Sequence, residues 1–198
     1  MDNLRLMAVL AITAALGSAN AQTPSLKITT KHGSPLEERK KRQIERLASE
    51  YNLKKWTITR RIVIEQGVRP HSSPELTLNG RFLDNDDLTL STYIHEQAHW
   101  LLMERHHGQM RDLYRDLKLW LPGLPTDYPR GDGNEEGTYI HLAVITLEWQ
   151  GMEELVGPER ARQAMDLLKT DHYFAIYAAV LEHRAAIENI MGRYFIRW

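Results

Sequence analysis

The sequence has no cysteine. Disulfide frameworks, thiolate zinc sites and cysteine nucleophiles are therefore excluded. It also lacks an excess of charge. Lys and Arg total 25 against 26 Asp and Glu, a net −1 with His neutral. No global field draws such a chain to nucleic acid or to an anionic membrane surface. Beyond the N-terminus there is no apolar run long enough to span a bilayer, and there is no internal repeat. What remains is ordinary for a globular protein: 198 residues, 42% hydrophobic and 26% charged. That length suits one domain with a core that needs no covalent staples. Nine histidines are many for this size. Without cysteine, any metal site must use them together with Asp or Glu.

Residues 1–21 read MDNLRLMAVLAITAALGSANA. Arg5 gives a weak basic start, and Leu6 to Leu16 form an apolar run broken by Thr13. Ala19 and Ala21 stand at the −3 and −1 positions of an A-x-A cleavage site. The pattern is that of a secretory signal peptide cut before Gln22. The expected location is periplasmic or secreted, with residues 22–198 as one domain and no membrane insertion after cleavage.

Residues 22–33 are polar and read as loose. Ser34-Pro35-Leu36-Glu37 is a helix start with a capping box, and the helix runs to about Tyr51 with Leu36, Ile44, Leu47 and Tyr51 inward. The charges from Glu38 to Arg42 read as a solvated face. Trp56, Ile58, Ile62 and Ile64 alternate with polar residues, which predicts a strand over 56–65. Asn79-Gly80 between short apolar runs predicts a hairpin over 76–83, whose edge is suited to pairing with an extended peptide. Asp84-Asn85-Asp86-Asp87 reads as a turn and helix cap rather than a calcium loop. Helices follow at about 88–107, 109–121, 135–155, from Pro158, and at 172–191, with Asp171 as the cap of the last. The Pro- and Gly-rich residues 122–134 form the longest loop, a possible rim or lid. The predicted class is α+β: a small N-terminal sheet, then a mainly helical half.

The chemistry-bearing motif is His95-Glu96-Gln97-Ala98-His99, an H-E-x-x-H flanked by Leu90, Tyr93, Ile94, Trp100, Leu101 and Leu102. Residues four apart share a helix face, so two imidazoles at this spacing can grip one zinc ion. Glu96 is rotated about a quarter turn away. From there it can serve a metal-activated water without being a ligand.

On His95, Glu96 and His99 the chain resembles the zincin metallopeptidases. The order of strands, hairpin, motif helix and further helices over roughly 55–155 is similar as well. The resemblance implies zinc on His95 and His99 and general-base work for Glu96. The chain departs from the best-known branches. Trp100, Leu101 and Leu102 follow the motif, without the metzincin glycine and third histidine, and the thermolysin-like glutamate with an aspartate four residues on is absent. The subfamily is therefore left open.

Catalytic zinc takes three protein ligands and keeps one position open. Residues 137–149 are apolar almost all round, so that helix is buried, and His141 and Glu148 within it need partners. They lie seven apart, about 10 Å, too far for both to bind one ion directly. Either His141 is the third ligand and Glu148 holds a ligand imidazole, or Glu148 is the ligand and His141 supports. The apolar neighbours of His141 and the loop before it favour the first. Glu135 and Glu136 suit a cap role at the helix start. At the last helix, His172, Tyr173 and Tyr177 are positioned to offer a donor to an oxyanion, with His172 the first choice. His106 and His107 sit at a helix C-terminus, where the dipole accounts for them.

These residues predict an exported zinc metallopeptidase acting on a peptide or protein, with Zn2+ as cofactor. A zinc amidase of cell-wall material is a variant of the same chemistry. A zinc-binding protein without turnover, or an interaction protein without metal, is the rival class.

Overall fold

A computed structural model describes residues 26–198, so the signal-peptide reading of residues 1–21 lies outside the described residues. Strand β1 (Lys27–Thr30) opens them. This corrects the expectation of a loose stretch up to residue 33: Ile28 is buried, and Lys27 and Lys31 amides donate to Arg60 and Ile64 carbonyls. Helix α1 (Pro35–Glu50) follows, with the predicted capping box. The Ser34 side chain accepts from Glu37 N, and the Glu37 carboxylate accepts from Ser34 N, both at 3.2 Å. The same carboxylate accepts from His32 N and Gln66 N, tying both strand ends to the helix.

Strands β2 (Arg61–Ile64) and β3 (Leu76–Leu78) complete a three-stranded sheet of order β1-β2-β3, parallel throughout. Ile62 stands opposite Ile28 on one side and Leu76 on the other. Two expectations are corrected here. The strand predicted over 56–65 is shorter, because Leu53–Trp56 forms a 3-10 turn and the backbone of Ile58 and Thr59 is claimed by the Gln97 side chain. The hairpin predicted at Asn79-Gly80 does not form. Asn79 is buried and donates to Val68 O at 2.8 Å, and the chain turns at Arg81–Asp84 into the next helix. The outward backbone groups of Thr77 are also taken, by His71 N and O at 3.0 and 2.8 Å. That leaves no free ladder at Thr77 for a substrate strand.

Helix α2 (Asp86–Arg105) starts at the acidic turn as expected, with Asn85 capping Leu88 N at 3.0 Å. Then come α3 (Met110–Trp120), α4 (Glu135–Val156), α5 (Pro158–Leu168) and α6 (Phe174–Gly192). Helix α4 is the axis of the helical half: every residue from Thr138 to Trp149 is buried, and α2, α3, α5 and α6 pack around it. An all-round apolar sequence is the pattern this position requires. Gly151 sets the α2–α4 distance, since a Cβ there would lie 2.9 Å from the Ile94 side chain and 3.2 Å from Trp56. The start of α6 also differs from expectation. Asp171 does not cap it; Tyr173 enters in the left-handed region at φ 51°, and the first amides, Phe174 and Ala175, donate to Pro129 and Arg130 carbonyls of the 122–134 loop. Among the described residues no helix is long and apolar enough to cross a membrane.

Candidate metal centre

His95 and His99 lie one turn apart on α2, and both face α4. His141 meets them from the first turns of α4, its ring centroid 5.4 Å from that of His95 and 4.7 Å from that of His99. Each ring offers one ligand nitrogen, and these nitrogens lie within 4.8 Å of one another. His95 and His141 are buried and His99 nearly so.

Two of the rings are oriented from behind. His95 Nδ1–H donates to Glu148 Oε2 at 2.8 Å, and His141 Nδ1–H donates to Gly137 O at 2.8 Å. Each bond leaves Nε2 as the nitrogen with a lone pair for a metal. Burial holds all three imidazoles below the ordinary histidine range, reinforced by their mutual repulsion for His95 and His99. Neutral imidazoles are what a cation needs. Three buried nitrogen donors that converge without a carboxylate or thiolate among them fit a borderline divalent ion. The group can hold one metal ion.

Glu148 does not join this group. It lies two turns along α4 and supports the group through its bond to His95, one of the two arrangements left open by the sequence. Fully buried, its carboxylate accepts from Ser91 Oγ, from Tyr177 OH at 3.1 Å and from His95. Burial pushes its pKa up to about 7, against the pull of Ser91, His172, Tyr177 and His141. Three donors converging on an acceptor favour the carboxylate form, and His95 carries the shared proton.

Glu96 is buried and, with His95, lines a small cleft. Burial, and then the neighbouring Glu148, push its pKa up to about 8. The third motif position, Gln97, has a mechanical task. Its Oε1 accepts from Ile58 and Thr59 amides at 2.8 and 2.9 Å, and its Nε2 donates to Thr59 O at 2.7 Å. The motif helix is thereby locked to the chain entering β2.

The cleft beside the histidines is small, about 80 Å³, and Arg69, Arg81, Tyr128, His172 and Tyr173 lie around it. His172 is held by Asp171, which accepts from its Nδ1 at 2.7 Å and is itself paired with Arg81. Tyr173 covers the histidines: its ring centroid is 4.6 Å from that of His141, and its OH donates to Asp132 Oδ1 at 3.0 Å. Tyr177, expected near His172 and Tyr173 in role, is committed to Glu148. Glu135 pairs with Lys118 and Tyr114 at the start of α4, away from the histidines in role, and Asn134 is the helix cap. A larger hollow of about 680 Å³ is lined by Leu26, Ile28, Tyr51 and Leu53, but no histidine lines it.

Sequence reasoning passed over Ser91, Gln97, Asp132 and the Arg81–Asp171 pair. Ser91 was within reach, being one turn before His95 on the same helix face. Asp132, Arg81 and Asp171 sit in irregular segments, where no periodicity marks them. Comparison with known proteins gives no match to a family model, to a curated protein or to a solved structure.

Proposed function

We propose that this chain is an exported zinc hydrolase that cleaves peptide or related amide bonds. The observation that carries the reading is the convergence of His95, His99 and His141, with Glu96 buried next to His95 and lining one cleft with it. The H-E-x-x-H motif on a buried helix and the resemblance to zincins support zinc as the ion, and residues 1–21 support export. His95, His99 and His141 would hold the metal. Zinc in such a site supplies Lewis acidity, polarising a carbonyl and making water a nucleophile near neutral pH. Glu96 takes the proton from the attacking water and returns it to the leaving amine. His172, steadied by Asp171, is the donor for the developing oxyanion. Peptides and cell-wall amides share this chemistry, so both belong in the substrate panel.

The test begins with the metal content of purified residues 22–198, where about one zinc per chain is expected. Glu96→Gln should retain that zinc while hydrolysis falls by a factor of roughly 100 or more. A protein that neither carries zinc nor takes it up would remove the proposal. Zinc binding with no hydrolysis of any panel substrate would favour the zinc-binding role without turnover.

A further inference from the structure

The cations around the cleft are not equivalent. Arg81 is neutralised by Asp171. Arg69 is exposed and has no ion-pair partner among the described residues, yet it is not a loosely held surface side chain. Its guanidinium lies over the Tyr128 ring, 3.9 Å from the centroid. Stacking of this kind pre-organises the planar fork while leaving its edge donors available. The backbone beneath it is pinned on both sides. Val68 O accepts from Asn79 Nδ2 at 2.8 Å, Arg69 O is bonded to His71 Nδ1 at 2.9 Å, and His71 pairs with Thr77 of β3.

Of the acidic groups at the cleft, Glu96 alone has no hydrogen-bond or ion-pair partner among the described residues, and it is buried beside His95; the others are committed. Glu148 is bound by Ser91, His95 and Tyr177. Asp171 is bound by Arg81 and His172, and Asp132 by Tyr173 and Asn134. The rim thus holds one stacked cation, Arg69, that pairs with none of these carboxylates, the buried Glu96 included. A guanidinium presented this way matches a carboxylate in a bidentate geometry.

We infer that the cleft takes an amide substrate bearing a carboxylate, and that Arg69, stacked on Tyr128, receives that carboxylate. Arg69 is a specificity residue on this account and takes no part in bond cleavage. Two sources share the chemistry: the free C-terminus of a peptide and an acidic side chain next to the scissile bond. The inference rests on the zinc-hydrolase reading, and the experiment separates the failure of one from the failure of the other.

Three hydroxamates with one peptide-like backbone are titrated into the zinc-loaded protein. One ends in a free carboxylate, one in a carboxamide, and one is the carboxamide with an aspartyl side chain. The hydroxamate group, common to all, binds the metal. At least one acid should bind about tenfold more tightly than the plain carboxamide, the size of a charge-assisted hydrogen-bond pair. Which acid does so identifies the source. Arg69→Gln should abolish the difference while leaving carboxamide affinity unchanged, since the side chain is exposed and its loss opens no core. Equal binding of all three would overturn the inference and leave the metal site standing. A preference that survives in Arg69→Gln would also overturn it. Binding of none would remove the zinc-hydrolase reading beneath it.

Discussion

Glu148 and Lys40 illustrate two ways in which a buried charge is placed. Glu148 binds no metal in the proposed site, but it fixes the ring plane and tautomer of His95. Groups in that position commonly raise metal affinity by a factor of about 10–100. Glu148→Gln keeps the volume and removes the charge, so zinc affinity should fall by that order while the fold survives. Competition with a chromogenic chelator measures it, and an unchanged affinity would mean that His95 needs no such support. Lys40 lies inside the charge run that the sequence presents as a solvated face. It is buried instead, and its ammonium donates to Gln43 Oε1, Arg81 O and Thr89 Oγ1 at 2.6–3.0 Å. Burial lowers its pKa to about 7, with Asp86 opposing. The unfolded chain, with a lysine pKa near 10.4, therefore binds more protons than the folded one between about pH 7 and 10. Stability rises with pH across that window and carries the full cost of the buried charge below it. Denaturation of wild type and Lys40→Met should show this rise in the wild type only. Parallel curves for the two proteins would contradict it.

The helix pair α2 and α4 carries the site, and its spacing depends on one residue without a side chain. Gly151→Ala would add the missing helix propensity, worth about 1 kcal/mol. The new methyl would also press on Ile94, one position before His95. Overpacking in a dense interface usually costs about 1–3 kcal/mol. The expected result is a net loss of stability together with weaker zinc binding, because separating α2 from α4 separates His95 and His99 from His141. A variant more stable than wild type with unchanged zinc affinity would show that the two helices give way freely there. The same elements explain what could be read in advance. Helices α1 to α6 follow from caps, breakers and a 3.6-residue period that belong to the local sequence, except the start of α6, which the 122–134 loop sets. His95, Glu96 and His99 are legible for the same reason. The sheet was legible only in outline. Asn79-Gly80 carries a turn signal, but its outcome was decided by Val68, eleven residues away. Ile58 alternates like a strand residue, yet a side chain from α2 takes its amide. Both are tertiary overrides of a local pattern.

At the scale of the whole molecule, the proposed metal would join parts that the sequence keeps far apart. The ligands come from two helices, and Gln97 fastens the motif to the approach to β2. The loop over 122–134 closes on the first amides of α6 through Pro129 and Arg130. An ion that binds only the assembled site stabilises all of these together. With free zinc at a thousand times its dissociation constant, the gain is about 4 kcal/mol. For a chain of this size each kcal/mol is worth about 2–4 °C. Chelation should therefore lower Tm by roughly 10 °C, and added zinc should restore it. His141→Ala should lose most of the zinc-dependent shift. Glu96→Gln should keep it, because a general base is not a ligand. Scanning calorimetry of the three proteins with and without chelator separates binding from chemistry in one series. A wild-type Tm indifferent to both chelator and zinc would mean that the three histidines hold no ion in solution.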